Sequence, residues 1–153
     1  MVSSDLAIQE SCSLREAIEE HKWYLSYNVG YDVGFERARN DFIVNYLVPW
    51  IEENPSQELL NHGNTLKKCV HLEDLYEFQS LAYKKAVRDD QFYLSQKRKD
   101  FVDWKSAEMD FLSNYLFNWA EKFKRAYCGH LCVDRGRCEI AENYAKESKI
   151  FNQ

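Results

Sequence analysis

Three cysteines and a histidine crowd one short stretch near the end of the chain. They are Cys128, His130, Cys132 and Cys138, in the run Y-C-G-H-L-C-V-D-R-G-R-C. Zinc is held by four nitrogen or sulfur ligands in a tetrahedron, and these four side chains are of the right kinds. Asp134, Arg135 and Gly136 supply a turn between the last two cysteines, and Gly129 loosens the backbone where ligands would crowd. A second chemistry uses the cysteines alone, as C-x3-C-x5-C, with Cys69 or Cys12 as a fourth thiolate around an iron–sulfur cluster. The plain alternative is that these are small apolar side chains packed in a core.

The three-cysteine run resembles the C-terminal run of CRISPR-associated iron–sulfur nucleases, which is spaced C-x2-C-x5-C. The likeness covers about a dozen residues. The acidic and lysine nuclease motif has no counterpart here, so the resemblance implies a cluster site and no nuclease activity.

A second constellation lies near the N-terminus. His21 and Asn28 fall in step with Leu14, Ile18 and Leu25 on the apolar face of a helix, where a polar group needs a partner. Asp41 or Asp32 is placed to supply one. The residues His21, Trp23, Asp32 and Asp41 therefore frame either a pocket with a His–Asp relay or a satisfied histidine that fixes a helical hairpin. The stretch His21 to Asp41, H-K-W-Y-L-S-x3-G-x-D-V-G-x6-D, resembles a motif of uncharacterised bacterial proteins. Those proteins commonly carry an acidic residue where Tyr27 stands, and the resemblance implies no activity.

No phosphate-binding glycine loop, H-E-x-x-H, G-x-S-x-G or paired Glu-x-x-His occurs. Paired acids such as Asp89–Asp90 and Asp100–Asp103 read as charge on helix surfaces. The net charge of -5 argues against a protein whose main work is binding nucleic acid. The start of the chain shows no signal sequence and no stretch suited to a membrane, and five cysteines suit a reducing, cytoplasmic setting.

The elements that must position these groups are helical. There are 5 glycines and 2 prolines in 153 residues, too few turns for a sandwich or barrel. The expected fold is all-α, a single domain of four main helices with a short C-terminal helix after the cysteine-rich loop. Residues 1–12 form a flexible arm. Residues 13–54 form a helical hairpin that opens on a capping box at Ser13 and Glu16 and turns at Gly30, with Asp32 as the second cap. Residues 65–127 form two long helices that break near Ser95 to Asp100, with Asp100 as cap. Residues 128–150 hold the Cys/His loop and the last helix. No internal repeat stands out. The aromatic stripe from Phe101 to Phe123 is expected to be buried. Any aromatic surplus left exposed would mark an interface with protein, either a second copy or another chain.

The sequence thus favours a helical binding or adaptor protein with zinc or an iron–sulfur cluster at its C-terminal site. An iron–sulfur protein of redox or nucleic-acid work, and an enzyme with a pocket at His21 and Asp32, are the alternatives.

Overall fold

In a computed structural model, residues 8–54, 66 and 68–139 are described. Among them the regular structure is helical, apart from two isolated β-bridges. The α-helices are α1 (Cys12–Val29), α2 (Phe35–Asn45), α3 (Leu47–Glu53), α4 (Leu72–Arg98), α5 (Trp104–Asn114) and α6 (Leu116–Ala126). A π-turn at Tyr127–Leu131 and a 3-10 turn at Arg135–Arg137 complete the order. The expected helix after Cys138 lies outside the described residues.

The helices are more numerous and shorter than their apolar patterns imply, because two of them break without glycine or proline. Tyr46 (φ -129°, ψ -11°) separates α2 from α3, and Tyr115 (φ -127°, ψ -21°) separates α5 from α6. Pro49 sits in the first turn of the restarted helix α3, where its missing N–H has no helical partner to lose. The break at Tyr115 also interrupts the aromatic stripe. Phe111 and Phe123 are buried, while Phe117, just past the break, is 82% exposed, and Phe101, ahead of α5, is 77% exposed.

Three caps differ from expectation. α1 begins at Ser11, whose Oγ accepts from the Leu14 amide at 3.3 Å, rather than at Ser13. Asp32 accepts from the Gly34 amide in the turn and does not cap α2. Asp103, not Asp100, caps α5, accepting from the Ser106 amide at 2.8 Å. The turn at Gly30 is as expected: its φ of 83° is a left-handed conformation that glycine takes without strain.

The helices carry a repeat that the sequence reading missed. α1–α2–α3 and the later part of α4 through α6 use the same devices at matching positions. Each first helix ends on a left-handed residue, Gly30 or Lys99. Ser26 accepts from the Val33 amide at 3.1 Å, and Ser95 from the Val102 amide at 3.0 Å. Asn45 donates to Asp41 Oδ1 at 2.9 Å, and Asn114 to Asp110 Oδ1 at 2.9 Å. α2 and α5 are each 11 residues long, and each ends on the N-Y-L-x-x-W run that carries the break. The H-K-W-Y-L-S…D-V-G stretch is thus one copy of a helix–turn–helix–break unit whose second copy reads D-Q-F-Y-L-S…F-V-D.

Two apolar clusters hold these units. The larger joins Leu14, Ile18, Phe42, Leu47, Phe78 and Phe123 with the π-turn; the smaller joins Val87, Leu94, Val102, Ala107 and Phe111. Trp119 packs against both. The N-terminal arm is not loose from Ile8 onward. Ile8 is buried and bridges to Cys132, the Gln9 amide donates to Leu131 O, and the Ser11 amide donates to His130 O.

Candidate functional site

Two separate stretches of chain meet the C-terminal loop, and backbone pairing explains why. Ile8 pairs with Cys132 on one side. On the other, the Leu66 amide donates to Arg137 O at 2.8 Å and the Glu139 amide to Leu66 O at 3.1 Å. His71 then donates from Nε2 to Asp134 Oδ2 at 2.6 Å. Cys69 lies between these two anchors, so the chain on both sides of it is pinned to the cysteine loop.

The result is a small cavity of about 20 Å³ lined by Cys69, Cys128, Cys132 and Cys138, with Leu75 and Tyr127 among its walls. The π-turn sets the loop side. Its Cys132 amide reaches back to Tyr127 O at 2.9 Å, so one wide turn carries Cys128 and Cys132 to the same wall. Cys128, Cys132 and Cys138 are buried, and all four are free thiols.

Burial, reinforced by the neighbouring cysteines, pushes the Cys128 thiol up to about 12. Burial also lifts Cys132, to about 11, against a backbone hydrogen bond at Asp134 that lowers it. Without a cation both are protonated at neutral pH. Asp134 is held low by its hydrogen bond from His71. Tyr127 is 1% exposed, and its hydroxyl has no hydrogen-bond partner among the described residues. Its ionisation is pushed well up by burial and by the cysteines around it. Among the described residues no three Cys, His, Asp or Glu side chains converge closely enough to close on a metal ion as they stand.

The structure divides the expected ligand set. Cys128, Cys132 and Cys138 share the cavity with Cys69, while Cys12 lies exposed on the first turn of α1. His130 is used elsewhere. Its Nε2 donates to Asn54 O at 2.8 Å, which leaves Nδ1 to accept from the Ser11 hydroxyl at 2.7 Å. The ring lies 4.7 Å from that of Trp50 and is 3% exposed. His130 therefore brackets the arm, the end of α3 and the π-turn.

The N-terminal constellation also separates. His21 Nε2 donates to Asp41 Oδ2 at 2.6 Å, and its ring meets Phe42 and Tyr46 edge-on. Trp23 is 61% exposed and stacks on Tyr27. Asp32 lies in the exposed turn, 3.7 Å from Lys22. The groove at His21 is lined by Tyr24, Phe42, Tyr46 and Trp50 and takes in neither Trp23 nor Asp32; the pair that forms is His21 with Asp41.

Asp90 departs from the expected helix-surface charge: it is buried and stands opposite Asp110. Burial and the Asp110 carboxyl raise it to about 6. Because the folded value is raised, the stability cost sets in above the unfolded value near 4 and is complete above about 6. Asp90→Asn is therefore expected to raise stability by about 2 kcal/mol at pH 7 and by little at pH 4. Paired thermal melts at the two pH values check this.

No protein-family model, curated protein or solved structure matches this chain. Among the described residues no helix is long and apolar enough to cross a membrane.

Proposed function

We propose that the chain is a small helical binding protein whose C-terminal end is clasped by one zinc ion on Cys69, Cys128, Cys132 and Cys138. The observation that carries this reading is the convergence of four cysteines from two distant segments on one cavity. Cysteine is a common buried residue, but four around one void is a zinc donor set. The size of the void favours a single ion. A volume of about 20 Å³ has room for roughly one water-sized sphere, not for a cube of iron and sulfide.

Side-chain rotation draws the sulfurs onto the ion, and binding releases their protons. The orphaned Tyr127 hydroxyl then gains a thiolate as acceptor. Lys68 at the rim and Lys124 near Cys128 offset the negative charge of four thiolates. Nothing in this arrangement leaves an open coordination position, so the centre is structural rather than catalytic.

The binding role rests on the surface. Trp23, Tyr27, Phe92, Phe101 and Phe117 are all more than half exposed, a larger aromatic display than a self-contained domain needs.

Metal and sulfide content, with an absorption spectrum, tests the proposal on protein purified anaerobically without chelator. The expected result is about one zinc per chain and no visible absorption. Iron with acid-labile sulfide replaces zinc by a cluster, and protein free of any metal overturns the site.

A further inference from the structure

The repeat places two equivalent grooves on the molecule. The first, about 450 Å³, is lined by Ala17, His21, Tyr24, Phe42, Tyr46 and Trp50 among others. The second, about 460 Å³, is lined at the matching positions by Ala86, Asp90, Tyr93, Phe111, Tyr115 and Trp119. The walls are nearly the same. The central residue is not: histidine in the first groove, aspartate in the second.

That exchange changes the chemistry. In the first groove an imidazole N–H fills the Asp41 carboxylate, and Asn45 takes its other oxygen. In the second, Asn114 again serves the equivalent Asp110, but a second acid stands where the N–H donor was. Asp90 is 8% exposed, and its buried Oδ2 has no N–H donor among the described residues, only the Asp110 carboxyl beside the side chain. Nearby cations do not fill it. Lys85 is bound to both oxygens of Asp89 at 2.6 Å, and Lys122 to Glu52 at 2.5 Å.

We propose that the second groove binds a small organic ammonium ion, whose N–H groups pair with the Asp90 carboxyl, behind which Asp110 stands, while its apolar body lies against Phe111, Tyr115 and Trp119. The ligand supplies the donor that His21 supplies in the first unit. The volume suits a molecule of about ten heavy atoms with space to spare. Aromatic faces favour a weakly hydrated organic cation over a hard metal ion, which two carboxylates without further oxygens hold poorly. The site is independent of the zinc centre, so either reading can fail alone.

An amide NMR titration of the full chain with phenethylammonium, and with phenylacetate as an anion of the same shape, tests it. Phenethylammonium is expected to give saturable shifts at the Trp119 indole and along α4 around Asp90. A dissociation constant on the order of 1 mM matches so small a ligand. Phenylacetate is expected to give none. Asp90→Asn, which keeps shape and loses charge, should weaken binding at least about tenfold. Asp90→His, which restores the pairing of the first unit, should abolish it. Equal binding of the two probes, unchanged affinity in Asp90→Asn, or no saturation by 20 mM (roughly twenty times that expected constant) overturns the proposal. Should either variant fail to fold, the contrast between the two probes on the native chain still decides.

Discussion

Cys69→Ser is expected to empty the proposed zinc centre and lower the thermal midpoint by about 10 °C, equivalent to about 4 kcal/mol. Serine keeps the size of the side chain but not its chemistry. A hydroxyl does not ionise near neutral pH and is a poor zinc ligand beside three thiolates. The expected loss is large because the proposed ion would link segments far apart in sequence. Cys69 comes from the stretch between Leu66 and His71, and the other three from the loop after α6. Without the ion, that junction rests on the Leu66 bridge and the His71–Asp134 hydrogen bond. Cys12→Ser is the matched control. Cys12 is exposed on α1 and away from the cavity, so both zinc content and midpoint should stay at the native values. Metal analysis and melts of the two variants, with chelator-treated native protein beside them, check this. Full zinc in Cys69→Ser, or a chelator that leaves the native midpoint unmoved, would remove Cys69 from the centre or the centre from the fold.

The helical class was legible, because apolar residues recur at helical spacing and breakers are rare. The helix ends were less so. Tyr46 and Tyr115 interrupt helices with residues that carry no breaking signal of their own. The repeat left a visible trace in the two N-Y-L-x-x-W runs. It was hidden where its units differ most: His21 against Asp90, Gly30 against Lys99 and Gly34 against Asp103. Asp90 had a signal of its own, since it falls in step with the buried Val87 and Leu94 on one face of α4. The cysteine cluster was visible as residue types, but its geometry was not. Spacing cannot show that a distant Cys69 is carried in by backbone bridges, or that a neighbouring histidine is spent on two other hydrogen bonds.

That last difference has a direct consequence. His130→Ala is expected to cost about 3–4 kcal/mol, a fall of about 10 °C, while the zinc content stays at the native value. The ring is almost fully buried, so alanine leaves a void against Trp50. It also strips the Asn54 carbonyl of its donor and the Ser11 hydroxyl of its acceptor. Ser11 still caps α1 through the Leu14 amide, and its own amide still donates to the carbonyl of residue 130. The arm should therefore stay in register and the helices form, with the penalty falling on packing at this corner. The two large effects separate the roles: serine at position 69 loses metal and stability together, and alanine at position 130 loses stability alone. Hydrogen exchange adds a second readout, since the amides of Gln9 and Ser11 should exchange faster in His130→Ala. Loss of zinc in that variant would instead make His130 a ligand and break the division between bracket and clasp.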